Sequence, residues 1–457
     1  MAQPPSRFTP GIKPFVAYDD PVIALMHARV IDGTGAAPRE DQTIIIYQGK
    51  ISAFGGKAPD GARVIDLTGH TVMPGMVGMH EHLYYPIGGG VPMYPEMAYS
   101  FPRLYLAAGV TTARTAGSVE PFTDMNVKAA IDAGKMPGPR LYITGPYLEG
   151  KGAFAPQMHE LTGPEDATRF VEYWAAQGVT SFKAYMNITR AELKAAVEAA
   201  HRHGIKVTGH LCSVGFREAA EIGIDNLEHG LLVDTEFHPG KQPDVCPQNT
   251  RAEVARLDLN TAPVREMIAD LVRHHVAITS TLAVFEAFDP ERPPLEQRFL
   301  DAVSPDAAVN YLAARARAGS GRGAAAGSAA AALKKELEFE VAFVKAGGLL
   351  VAGADPTGNG GALAGFADQR NVELLVEGGF TPVEAIRIAT SNGAKLLGEE
   401  ARIGTVAVGK IADLMVVSGN PAARIAEIRN VKWVFKDGVG YDSAKLLESV
   451  RGEAGLR

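Results

Sequence analysis

Between residues 73 and 398 the chain repeats one unit of organisation, and the repetition restricts what it can fold into. Eight short apolar or mixed runs lie near 73–80, 109–115, 140–145, 179–185, 205–210, 225–229, 276–282 and 348–355. Seven of them lead into a stretch with helical patterning before the next run. Short strands alternating with helices point to parallel pairing, because a parallel pair needs a long crossover that a helix supplies. Eight such units predict an α/β protein with a (β/α)8 barrel over 73–398. The helix boundaries agree. Thr189-Arg190-Ala191-Glu192 is a capping box that opens a helix closed by Gly204, and Thr381-Pro382-Val383-Glu384 adds proline at the first helical position. Gly134, Gly178, Gly223 and Gly347 stand where helix ends favour a left-handed residue.

The two ends read differently. Ile44-Ile45-Ile46-Tyr47 and Ile51-Ser52-Ala53-Phe54 flank the turn Gln48-Gly49-Lys50, and strand texture returns at Leu414-Met415-Val416-Val417 and Val431-Lys432-Trp433-Val434-Phe435. Residues 1–72 and 399–457 are therefore expected to form one small β-sandwich domain from both termini. One stretch of the middle, 313–332, is rich in Ala and Gly and low in complexity. It reads as a flexible connection or weakly packed helix, or as a mobile lid.

Composition removes several classes of function. Hydrophobic residues are 46% and charged residues 21%, as in globular proteins generally. Lys and Arg number 45 against 52 Asp and Glu, a net charge of -7 with no basic block, which argues against nucleic acid. The longest apolar stretches, such as 347–354, are far short of the ~18 residues of a membrane span, so no membrane is expected. The first sixteen residues hold four prolines and no apolar core of a secretory signal. The two cysteines, Cys212 and Cys246, are too few for a disulfide framework and read as free thiols in a reducing compartment. The expected location is cytoplasmic and the partner a small molecule.

Side chains suited to holding a metal stand at the ends of these runs. His80 and His82 close the first, and a spacing of two along a strand puts both imidazoles on one face. Lys183 ends the fourth, His210 the fifth, His229 the sixth and Asp355 the eighth. In barrel enzymes the C-terminal strand ends build the active site. Singly, each has an ordinary reading: a surface His-x-His, satisfied core histidines, and an Asp-Pro turn at 355–356. Jointly, four histidines and an aspartate at one rim point to a metal centre. Lys183 within a strand additionally needs a partner or a modification.

These motifs resemble the amidohydrolase superfamily, and within it the imidazolonepropionase-like and Xaa-Pro-dipeptidase-like hydrolases. The resemblance rests on Met73-Pro74-Gly75-Met76-Val77-Gly78-Met79-His80-Glu81-His82, Phe182-Lys183-Ala184-Tyr185, Thr208-Gly209-His210, Leu227-Glu228-His229-Gly230, Gly353-Ala354-Asp355 and the tail Gly409-Lys410-Ile411-Ala412-Asp413-Leu414, and spans about residues 24–442. It implies a binuclear metal-dependent hydrolase. His80, His82 and Asp355 would hold one divalent ion, His210 and His229 the second, and carbamylated Lys183 would bridge both. A metal-bridging hydroxide would attack the carbonyl of an amide-type C–N bond, with Asp355 moving the proton to the leaving nitrogen. Imidazole donors favour two Zn2+ ions, while Mn, Fe and Co stay open. Dipeptides, N-acyl amino acids, aryl amides, carbamates and ureas are candidate substrates, and a homo-oligomer is expected.

Two departures from the resemblance stand out. Many relatives carry Asp where this chain has Gly78. Peptidase-like relatives often show Gly-Gly-His-Gly after the third strand, where this chain reads Glu149-Gly150-Lys151-Gly152-Ala153-Phe154, with His159 further along. For substrate contacts, Tyr185 shares a strand face with Lys183, and Tyr84, Tyr85 and Met93 follow the first strand as a possible aromatic wall. His159 is the histidine nearest the altered loop, and Arg370 is a candidate clamp for an anion or a structural partner of Asp368. The competing readings are a cyclic-amide hydrolase or deaminase of the same superfamily, and a non-catalytic scaffold.

Overall fold

The computed structural model describes residues 8–86, 94–248, 250–289, 291–292, 296–319 and 325–456. Met93 lies outside them. The chain is a mixed α/β protein with two parallel sheets and one largely antiparallel sheet.

Every one of the eight runs contains a strand. They are β1 (Met76–Glu81), β2 (Val110–Thr115), β3 (Arg140–Tyr142), β4 (Ser181–Ala184), β5 (Lys206–Gly209), β6 (Asn226–Glu228), β7 (Ala277–Ser280) and β8 (Leu350–Ala352). β1 to β3 pair in parallel in one sheet and β4 to β8 in a second. A parallel bridge from Thr144 to Ser181 joins β3's continuation to β4. Beyond β8, the Asp355 N–H donates to the His80 carbonyl at the end of β1 (2.9 Å). Strands buried on both faces have no use for polar alternation. β1, β2, β4, β6, β7 and β8 are accordingly buried along their whole length.

The helix signals are realised. Thr189 accepts from the Glu192 N–H, and the Glu192 carboxylate accepts from the Thr189 N–H, opening the helix Arg190–Arg202. Thr381 and Glu384 repeat the device for Pro382–Arg387. Gly134, Gly178, Gly204, Gly223 and Gly347 all take positive φ where the preceding helices end. The Ala-rich stretch is helical where described, in Pro305–Gly319 and Ala325–Lys345; residues 320–324 lie outside the described residues.

The two chain ends share one nine-stranded sheet. His70–Pro74 pairs antiparallel with Leu414–Ser418, which pairs antiparallel with Val431–Lys436. The sheet has a core of its own, in which Ile23, Leu25, Ile44 and Ile46 meet Leu414, Val416 and Phe435. Among the described residues no helix is long and apolar enough to cross a membrane.

One expectation is overturned. Cys212 and Cys246 are not free thiols; they form a disulfide with Cα atoms 4.9 Å apart. Cysteine parity could not show this, because the two residues are 34 positions apart and meet only when the loop after β5 packs against the segment near 246. The thiol argument for a reducing compartment falls with it.

Candidate metal centre

The candidate ligands do converge. His80 and His82 project from the end of β1, Lys183 from β4, His210 follows β5, His229 follows β6, and Asp355 lies three residues beyond β8. His80 Nε2 and His82 Nε2 lie 3.7 and 3.5 Å from Asp355 Oδ1, and ligand atoms of these three residues all fall within 4.8 Å of one another. The His229 ring is 4.6 Å from that of His80 and 4.5 Å from that of His210, and Lys183 Nζ donates to His80 Nε2 (3.0 Å).

Local backbone conformation makes the convergence possible. His229 and Asp355 have φ of 67° and 44°, a left-handed conformation that non-glycine residues hold only when their surroundings impose it. At Gly353 a Cβ would sit 2.3 Å from the His80 nitrogen, so only glycine lets β8 approach β1 this closely. Gly78, where relatives carry Asp, also has a local cause. A Cβ there would meet the Glu81 carboxylate at 2.4 Å, and that buried carboxylate accepts from the Ala354 N–H (3.1 Å), tying β1 to the segment leading to Asp355.

Three of the four histidines have a second nitrogen engaged. His80 Nδ1 donates to Glu228 Oε2 (2.7 Å), His82 Nδ1 donates to the Gly117 carbonyl (3.2 Å), and His229 Nδ1 pairs with Thr281 Oγ1 (2.7 Å). Such contacts fix the tautomer and turn the opposite lone pair toward a common point. His229 Nε2 is buried and has no hydrogen-bond partner, an unusual state for a polar atom unless something else fills it. Burial, with the Lys183 charge among the further causes, pushes His82 down to about 4 and His210 to about 3, and lowers His80 and His229 as well. The imidazoles are thus neutral donors. Burial raises the Asp355 carboxyl, but the histidines around it more than offset this and hold it well below the usual range. Four imidazoles and a carboxylate, with one imidazole nitrogen buried and unpartnered, suit a divalent metal ion.

Glu228 and Arg114 extend the centre, and neither was expected from the sequence to serve it. Glu228 is completely buried; burial raises its carboxyl, but Arg114 first and His80 next hold it well below the usual value. Arg114 Nη2 donates to Glu228 Oε1 (2.5 Å) and Nη1 to Asn226 Oδ1 (3.1 Å). A charge inside a fully buried strand was the available signal. Glu228→Gln is expected to weaken divalent-metal affinity by roughly 10–100-fold, read by titration against a chelating indicator, with far-UV circular dichroism unchanged. Wild-type affinity in the variant would remove Glu228 from the centre.

The centre opens into a cavity of about 260 Å³ lined by His82, Lys183, His210, His229 and Asp355 together with aromatic side chains. Tyr84 and Tyr185 line it, and Tyr84 OH donates to His82 Nε2 (3.4 Å). Tyr85 is instead buried, donating to the Gly360 carbonyl. His159 and Arg370 are placed elsewhere. The His159 ring stacks on Phe170 at 5.1 Å and bonds Asp166, because the loop after β3 carries it to the outer helix rather than inward. Arg370 bonds Glu286, Glu373 and Glu377, not Asp368, whose carboxylate instead accepts from the Gly365 N–H.

With fold and site in view, comparison with known proteins gives a consistent class. The amidohydrolase family profile matches residues 71–439. The chain belongs to the amidohydrolase family and is a hydrolase acting on carbon–nitrogen bonds. Among solved structures it is similar to a Xaa-Pro dipeptidase with methionine bound in its active site (22% identity, 92% of this chain and 100% of that one, TM-score 0.69). It is also similar to the bottromycin amidohydrolase (20%, 98% and 94%, TM-score 0.71) and to a putative prolidase from Bifidobacterium longum (24%, 94% and 98%, TM-score 0.65). At these identities the likeness is one of fold. No curated protein matches the chain.

Proposed function

We propose that this protein is a binuclear metal-dependent hydrolase of amide-type C–N bonds in small molecules. The observation that carries the reading is the gathering of His80, His82 and His229 around the Asp355 carboxylate, with His229 Nε2 buried and without a partner. In this reading the eight parallel strands close into a (β/α)8 barrel over 73–398, and residues 1–72 and 399–457 form the attached β-sandwich. His80, His82 and Asp355 hold one ion, His210 and His229 the other, and Zn2+ is the first choice for such imidazole-rich donors.

Lys183 supplies the bridging ligand. Burial pushes its amine down to about 8, so a useful neutral fraction exists near neutral pH. That lone pair adds to the carbon of CO2, a proton leaves the nitrogen, and the product is a carbamate whose single negative charge is shared by two oxygens. Divalent ions in such a site lower the pKa of bound water and polarise the scissile carbonyl. The chain does the rest. Asp355, ionised and receiving a hydrogen bond from Thr357 Oγ1 (2.6 Å), accepts the proton of the attacking water and returns it to the departing nitrogen. Tyr185 and Tyr84 stand at the cavity wall with hydroxyls able to orient a substrate carbonyl.

Metal analysis combined with a hydrolysis screen tests this. Protein reconstituted with Zn2+ is expected to hold two ions per chain and to hydrolyse members of a panel of dipeptides, N-acyl amino acids, anilides and carbamates. Failure to retain divalent metal, or hydrolysis confined to esters and lactones, would overturn it.

A further inference from the structure

The walls of the metal cavity say which substrates it excludes. Tyr84, Tyr94, Phe154, Tyr185 and Tyr147 form a continuous chain of rings, with successive centroids at 5.3, 5.6, 5.5 and 4.8 Å. Phe285 packs at 5.5 Å from the His229 ring and lines the cavity with Phe288. Phe154 is 37% exposed, so its ring stands at the mouth rather than in the core. Aromatic walls built of edge-to-face and tilted ring pairs accept flat apolar groups, and ring faces carry negative charge density that repels an anion.

The charge inventory points the same way. Among the described lining residues the only lysine or arginine is Lys183, which lies against His80 and, as the carbamate of the proposed centre, carries no positive charge. The arginines nearest in sequence to the eighth strand and to the helix Leu282–Glu286 are used elsewhere. Val284 and Phe285 of that helix line the metal cavity, whereas Glu286 turns away and bonds Arg370 (2.8 and 2.7 Å). Arg292 bonds Glu377 and lies near Glu286 as well. The side chain best placed in sequence to clamp a carboxylate is therefore locked behind the wall. A substrate carboxylate entering this cavity away from the metal ions would lose its water and find no counter-ion.

On the reading that this is an amide hydrolase, we propose that its substrate is an amide uncharged on both sides of the scissile bond and bearing an aromatic ring, held against Tyr94, Phe154 and Tyr185. Peptides with a free C-terminal carboxylate are poor substrates. The cavity, near the lower end of the size range for small-molecule sites, takes one ring and the amide rather than an extended peptide.

Two matched pairs test the proposal with zinc-loaded protein. One is acetanilide and 4-acetamidobenzoate; the other is N-acetyl-2-phenylethylamine and N-acetylphenylalanine. In each, kcat/KM for the member without the carboxylate is expected to exceed its partner by roughly tenfold or more. Phe154→Arg, a substitution at the exposed mouth that leaves bound metal unchanged, is expected to narrow or reverse that ratio by raising kcat/KM for the carboxylated members. Preference of the wild type for the free acids would overturn the substrate class and leave the hydrolase reading standing, as would a Phe154→Arg variant with an unchanged ratio. Turnover of none of these compounds, nor of any amide in the wider screen, would remove the hydrolase reading and this inference together.

Discussion

Asp355→Asn is expected to lower kcat by roughly 10³-fold, near the middle of the span for a positioned proton-transfer group. The substitution keeps the size of the side chain and one oxygen, and removes the charge and the basic site. Asp355 sits 3.5 to 3.8 Å from imidazole nitrogens of His80, His82 and His229, so the same change also removes an anion from the donor set. The two effects separate by measurement. Weakened metal binding reads as reduced zinc per chain at a fixed free concentration, whereas the lost proton transfer persists in kcat once zinc is raised to saturation. Wild-type kcat at saturating zinc would strip Asp355 of its role in catalysis. The fold should not suffer, since the backbone at 355 is fixed from outside, by its N–H bond to the His80 carbonyl and by Gly353 lying against the His80 backbone.

The parts of this centre that were legible in the sequence share a cause. Strand ends are visible because a buried parallel strand is a short apolar run bounded by turns, and a polar residue closing such a run has few places to go but the rim. His80, His82, Lys183, His210, His229 and Asp355 all occupy that position. What escaped notice depends on contacts between distant loops. Phe154 and Tyr94 belong to separate connections and become a wall only when folded. Arg370 looked available because Glu286, the residue that takes it, is 84 positions away. Cys212 and Cys246 meet through loops whose approach no periodicity describes. Glu228 and Arg114 are an intermediate case. Both are charged residues inside runs with no exposed face, a contradiction that can be resolved only by pairing them, as the structure does.

Lys183→Met offers a test in which stability and metal binding move in opposite directions. In the metal-free protein the Lys183 amine is buried, and while protonated, below pH about 8, it costs the fold about 3 kcal/mol relative to an exposed lysine. Methionine is close in volume, unbranched and uncharged, so it fills the site without that cost. The metal-free variant should be at least as stable as the wild type, with Tm unchanged or raised at pH 7. Zinc should then reverse the order. Anything bound only to the native state stabilises it in proportion to its affinity, and the variant lacks the side chain that can bridge two ions. The increment in Tm on adding zinc should shrink, bound zinc should fall toward one ion per chain, and hydrolysis should drop by on the order of 100-fold or more. A purely structural lysine would show the opposite pattern, with a lower Tm in the absence of metal and an undiminished increment on adding it. A deaminase-like centre with one ion would show neither a change in zinc content nor a loss of activity.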